Sequence, residues 1–116
     1  MGTHRLAELD HALRLAGKGY AEARDGSPEQ HGALNNLAIT LYERFLRKGD
    51  GKDLREALTH GEHALRIASP QQPEYRDYLA NMEQYIAAGY ARGFSDQDAL
   101  ARANSVLNGA RQRLAR

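Results

Sequence analysis

The chain has 116 residues, with 16 basic side chains against 15 acidic ones for a formal charge of +1, and no cysteine. That is one domain's worth of chain with a modest core. The charge balance argues against a dedicated nucleic-acid or anionic-membrane surface, and the lack of cysteine excludes a disulfide framework, thiolate chemistry and a cysteine-built metal site. No apolar run approaches the ~20 residues of a membrane-spanning helix. Met1 to Arg5 contains no apolar stretch resembling a signal peptide, so a cytoplasmic setting is expected.

The first predicted helix covers about residues 4–24. Leu6, Leu9, Leu13, Ala16, Tyr20 and Ala23 step by three and four along one face. Gly17 and Gly19 weaken it, though a small residue at 19 also lets a neighbouring helix approach. Asp25-Gly26 closes it, Gly26 suiting a left-handed C-terminal position.

The second helix, 28–48, has the clearest start: Ser27 as cap, Pro28 at the first helical position, and Gln30 completing a capping box. Leu34, Leu37, Leu41 and Phe45 form its stripe, widened by Ala38 and Leu46. Arg47 and Lys48 complement the dipole at its end, and Gly49 stops it. The third helix, 51–68, starts from Asp50 and buries Leu54, Ala57, Leu58, Gly61, Ala64 and Ala68.

After the two prolines of residues 69–73 comes a fourth helix, 73–92. It buries Tyr75 or Tyr78, then Leu79, Met82, Ile86 and Tyr90. Gly93 ends it. Ser95, with Asp98 three residues on, is the expected cap of a fifth helix, 96–114, which buries Leu100, Ala103, Leu107, Ala110 and Leu114. No segment alternates with period two, so the fold class is all-α. Short loops make neighbouring helices antiparallel.

These helices repeat. A shift of 45 residues places Leu9 on Leu54, Leu13 on Leu58, Pro28 on Pro73, Glu29 on Glu74, Leu34 on Leu79, Asn36 on Asn81 and Phe45 on Tyr90. One further residue carries Leu54 to Leu100 and Ala64 to Ala110. A fixed period in the range of ~20–50 residues is the mark of a solenoid, in which each unit buries its apolar face on its neighbours.

The pattern resembles the tetratricopeptide repeat over almost the whole chain. Leu34, Leu37-Ala38 and Leu41 match the family's first helix, called A. Ala57, Gly61, Ala64 and Pro70 match its second, called B, with the proline one place late. The second unit offers Leu79, Met82-Glu83, Ile86, Ala103, Leu107 and Ala110, with Glu83 standing where a small residue usually packs. The period departs from the family's ~34 residues. This long variant is similar to repeats found beside signalling ATPases and caspase-like peptidases in multidomain proteins. A chain that opens on a B helix is then expected to be a fragment.

The resemblance implies a short right-handed solenoid of about five helices in the order B-A-B-A-B, a single domain over residues 1–116. It also implies a protein or peptide ligand on the concave face made by the A helices, and no catalysis. The candidate contact residues are Asn36, Thr40, Glu43 and Arg47 on the second helix, matched by Asn81, Tyr85, Ala88 and Arg92 on the fourth. An asparagine before the first packing residue of an A helix bonds a ligand backbone in peptide-binding members, since an amide is both donor and acceptor; the same side chains otherwise tie adjacent hairpins together. Glu43 at an expected clamp position removes the family's carboxylate-clamp specificity. No metal or cofactor is expected.

Other readings are weaker. A homo-oligomer through the open repeat end is the alternative function. His60 and His63, with Glu56 a turn earlier, have the spacing of helical zinc ligands without the metalloprotease pattern, and read better as surface histidines. His4 and His11 form a similar pair, and His31 stands alone in a first turn. The tyrosines at 75, 78, 85 and 90 read as packing groups rather than a base-stacking platform. Arg102, Arg111, Arg113 and Arg116 read as solvation of the last helix.

Overall fold

A computed structural model describes residues 2–116, with side chains from Arg5 onward. It contains five helices: α1 (Gly2–Glu22), α2 (Pro28–Lys48), α3 (Gly51–Ile67), α4 (Glu74–Ala91) and α5 (Gln97–Ala115). There is no strand among the described residues, and none of these helices is long and apolar enough to cross a membrane.

The boundaries follow local chemistry. The Ser27 hydroxyl accepts from the Gln30 amide at 3.2 Å, and the Gln30 side chain reaches back to the Gly26 amide, one residue earlier than in the usual box. Gly49 takes φ +75°, and its amide donates to the Phe45 carbonyl at 2.7 Å. That left-handed turn and the Asp50 cap on the Lys52 amide send α3 straight back along α2. The fifth helix is capped by Asp96, whose carboxylate accepts from Ala99 at 3.0 Å, and not by Ser95. Helix α1 stops at Glu22, two residues short of the expected end.

Side-chain bonds fix the helix directions. Asn81 donates to Asn35 and Arg92 to the Leu46 carbonyl, both across 46 residues, so α2 and α4 lie side by side, parallel and in register. Arg55–Asp96 and Arg102–Glu62 do the same for α3 and α5, separated by 41 and 40 residues. Arg5 meets Glu43 near one end of α1, and a Cβ built at Gly19 would lie 3.9 Å from that of Ala33 near the other, so α1 runs antiparallel to α2, with Arg44–Asp10 as a further tie. Helices α2 and α4 thus form one layer and α1, α3 and α5 the other. The thinnest Cα extent, 19 Å, fits two helix layers.

The core lies between the layers. It holds Leu34, Phe45, Leu54, Leu58, Leu65, both Tyr75 and Tyr78, Met82, Tyr85, Leu100 and Leu107. Two glycines let helices close on one another. A Cβ at Gly61 would lie 2.8 Å from Met82 Cε, and one at Gly89 would lie 2.6 Å from Leu100 Cδ2. Phe94, unassigned by the periodicity, is buried in the turn after α4, with the Arg55 guanidinium 5.6 Å from its ring.

Tyr90 differs from expectation: it is 54% exposed, while its repeat partner Phe45 is 4% exposed. The cause is the packing of α4 beside α2. Phe45 is lidded by the Arg92 guanidinium at 5.6 Å, which comes from the end of α4. Among the described residues no such guanidinium is recorded over Tyr90.

Candidate interaction surface

The two predicted lines of contact residues have different fates. On α4 the line turns toward α2 and is used in packing. Asn81 Nδ2 donates to Asn35 Oδ1 at 3.1 Å. Tyr85 is buried, its ring 4.8 Å from that of Tyr42 and tilted by 46°. Burial raises the Tyr85 phenol above its ordinary range, with the Tyr42 phenol adding a smaller push in the same direction. Arg92 divides between the Leu46 carbonyl, 3.1 Å away, and the Phe45 ring. Tyr85 is thus absent from the surface, and Asn81 and Arg92 join α4 to α2.

On α2 the line is more open. Asn36 and Arg47 are exposed. The Thr40 hydroxyl turns inward and donates to the Asn36 carbonyl at 2.8 Å, a bond within the helix. Glu43 is paired with Arg5 of α1.

Beside Asn36 the α1–α2 pair opens into a cleft of about 510 Å³ lined by Ala16, Gly19, Glu22, Ala23, Glu29, Gly32, Ala33 and Asn36. Its floor is small and apolar, and its rim carries two carboxylates. A second cleft of about 400 Å³ lies between the stacked turns, with Phe45, Gly51, Arg92 and Phe94 in its wall.

Three polar features escaped the reading of single helices because each joins residues far apart in sequence. Arg44 forks onto both oxygens of buried Asp53 at 2.8 and 3.0 Å and also reaches Asp10 at 2.9 Å, tying α1, α2 and α3 together. His31 is buried, with Nδ1 2.8 Å from the Tyr78 hydroxyl of α4. Burial, helped by nearby Glu74 and Asp77, raises Tyr78 to about 12. Glu62 is buried beside Arg102, Nε to Oε1 3.3 Å, and its second oxygen has no hydrogen-bond partner among the described residues. Burial raises its carboxyl above the ordinary range, against the smaller opposing pull of Arg102 and Arg66.

The metal and nucleic-acid alternatives gain no geometry. His60 is partly buried, and burial lowers its imidazole. His63 sets its ring edge-on to Tyr20, at 6.3 Å. Among the described residues no three metal-donor side chains gather; the side chain of His4 lies outside the described residues. Of the C-terminal arginines, Arg102 pairs with Glu62, Arg111 with Glu83, and Arg113 with the Leu65 carbonyl and the Tyr75 hydroxyl. Tyr75, Tyr78 and Tyr85 are all buried, so no row of exposed rings exists on α4.

No protein-family model matches the chain, and neither the curated proteins nor the solved structures contain a significant match.

Proposed function

We propose that the chain is a helical-repeat interaction module of the tetratricopeptide kind. It is a short right-handed stack in the order B-A-B-A-B that holds a protein or peptide segment and performs no catalysis. The observation that carries this reading is the register between α2 and α4. Two bonds eleven residues apart along the helix, Asn35–Asn81 and Leu46–Arg92, span the same 46 residues, within one residue of the 45-residue shift that matches these two helices in the sequence. The expected working surface is the open side of α2, where Asn36 and Arg47 are free of the packing that takes up Asn81 and Arg92.

The test is selection of binding peptides from a displayed random library, followed by titration against an Asn36→Ala/Arg47→Glu variant. Selected peptides are expected to lose at least tenfold in affinity. Peptides that bind both proteins equally would refute the assignment of this surface. Self-assembly through an open repeat end is the second reading, favoured by the exposure of Tyr90 beside Ala87 and Ala91.

A further inference from the structure

The repeat allows the α1–α2 cleft to be compared with its counterpart inside the same molecule. Adding 45 turns Ala16, Gly19, Ala23, Ala33 and Asn36 into Gly61, Ala64, Ala68, Tyr78 and Asn81. In that second setting the α3–α4 cleft is filled. Gly61, Ala64, Ala68 and Tyr78 are buried, and the helix lying over them is α2. It contributes His31 to the Tyr78 hydroxyl, Asn35 to Asn81, and Tyr42 to the Tyr85 ring. In the first setting no helix among the described residues lies over the cleft. Ala33 stands where Tyr78 would supply volume, and Asn36, the counterpart of Asn81, is exposed. Leu15, one turn before Gly19 on the same side of α1, is 57% exposed.

We infer that the α1–α2 cleft is a docking site for one amphipathic helix of a partner protein, lying on α1 and α2 as α2 lies on α3 and α4. The inference rests on the helical-repeat reading above. The chemistry of the guest follows from the differences between the clefts. The cavity of about 510 Å³ requires the guest to supply the bulk that Tyr78 supplies in the other unit, so the guest carries a large apolar or aromatic anchor. Asn36 requires a polar partner, as Asn81 has in Asn35. Glu22 lies on the rim where the second unit has Ile67, and Glu29 stands across from it. The guest helix is therefore basic along the edge that meets them, a complementarity that selects the partner and speeds encounter. A second copy of the chain does not fit this description, because its own α2 is locked into its core.

The probe is a synthetic peptide of residues 28–48, the helix that fills the counterpart cleft, stapled between positions 36 and 40. It is titrated into the full chain and followed by amide chemical shifts. Binding is expected with a dissociation constant below about 100 µM, with shifts centred on Ala16, Gly19, Ala33 and Asn36. A Glu29→Lys peptide is expected to bind at least threefold tighter. Ala33→Tyr in the protein fills the cavity from within and is expected to weaken binding at least tenfold. Gly32→Trp blocks the rim from a position whose Cβ meets nothing within 4 Å, so it serves should the first variant fail to fold. No binding at ~1 mM peptide, shifts elsewhere, indifference to both variants, or self-association abolished by Ala33→Tyr each overturns the inference. Library-selected peptides that depend on Arg47 but ignore Ala33→Tyr would overturn this site while leaving the scaffold reading intact.

Discussion

The guanidinium of Arg44 donates to three carboxylate oxygens on two other helices, and one of its partners, Asp53, is almost wholly buried with 3% of its side chain exposed. These hydrogen bonds hold the arginine firmly in its charged form. Removing it leaves the Asp53 charge buried with only the α3 N-terminus to offset it. Arg44→Ala is expected to cost about 3–5 kcal/mol, read as a lower urea midpoint with unchanged slope. Asp10→Ala, at a side chain 53% exposed, is expected to cost less than about 1 kcal/mol. Glu62 works in the opposite sense. Burial favours its protonated form, so its carboxyl is raised in the fold. A raised group contributes its stability below the unfolded value and loses it as pH rises through the folded one. Glu62→Gln is thus expected to match the parent near pH 4 and to become the more stable protein as pH climbs above about 4.5. Urea midpoints measured across that range decide it; a Gln variant weaker at pH 7 would mean that the Arg102 pair outweighs burial. His60, lowered by its own burial, withdraws stability as pH falls and does so equally in both proteins.

At the scale of the helix, much was legible in the sequence. The five helices follow from apolar steps of three and four, and the strongest boundaries from Ser27-Pro28 and Gly49-Asp50, because these signals are local. The cap of α5 falls one residue past the expected Ser95: both side chains are good caps, and it is the Asp96 carboxylate that reaches the Ala99 amide. The Arg44–Asp53 fork, the His31–Tyr78 bond and the burial of Phe94 were not legible, since they depend on the order in which helices stack. The candidate surface was half legible for the same reason: one periodic line appears on α2 and α4, but only packing reveals that Tyr85 is buried and that Asn81 and Arg92 bond to α2. Glycines show a similar divide. Gly17 and Gly109 have nothing within 4 Å of a built Cβ, so Gly17→Ala or Gly109→Ala is expected to gain up to ~1 kcal/mol from helix propensity. At Gly89 the new methyl meets Leu100 at 2.6 Å and Leu54 at 3.3 Å. Overpacking of about 1–3 kcal/mol opposes the ~1 kcal/mol propensity gain, so Gly89→Ala is expected to lower the thermal midpoint.

For the molecule as a whole, the two ends of the stack decide between a monomer and a filament. Inside the chain the two layers alternate: α3 packs between α2 and α4. The first and last described helices, α1 and α5, both belong to the layer of α3. Head-to-tail stacking of two copies would therefore set α5 against α1 with no helix of the α2–α4 layer between them, a contact that has no precedent within the molecule. Continuing the alternation would require one copy to give up α1, breaking the Arg44–Asp10 and Arg5–Glu43 pairs and uncovering Leu9. Light scattering across a ~100-fold concentration range is accordingly expected to return a constant mass of 12.9 kDa. A mass that climbs, and falls back in a Tyr90→Glu variant, would instead make the C-terminal end a working interface and assembly the leading function.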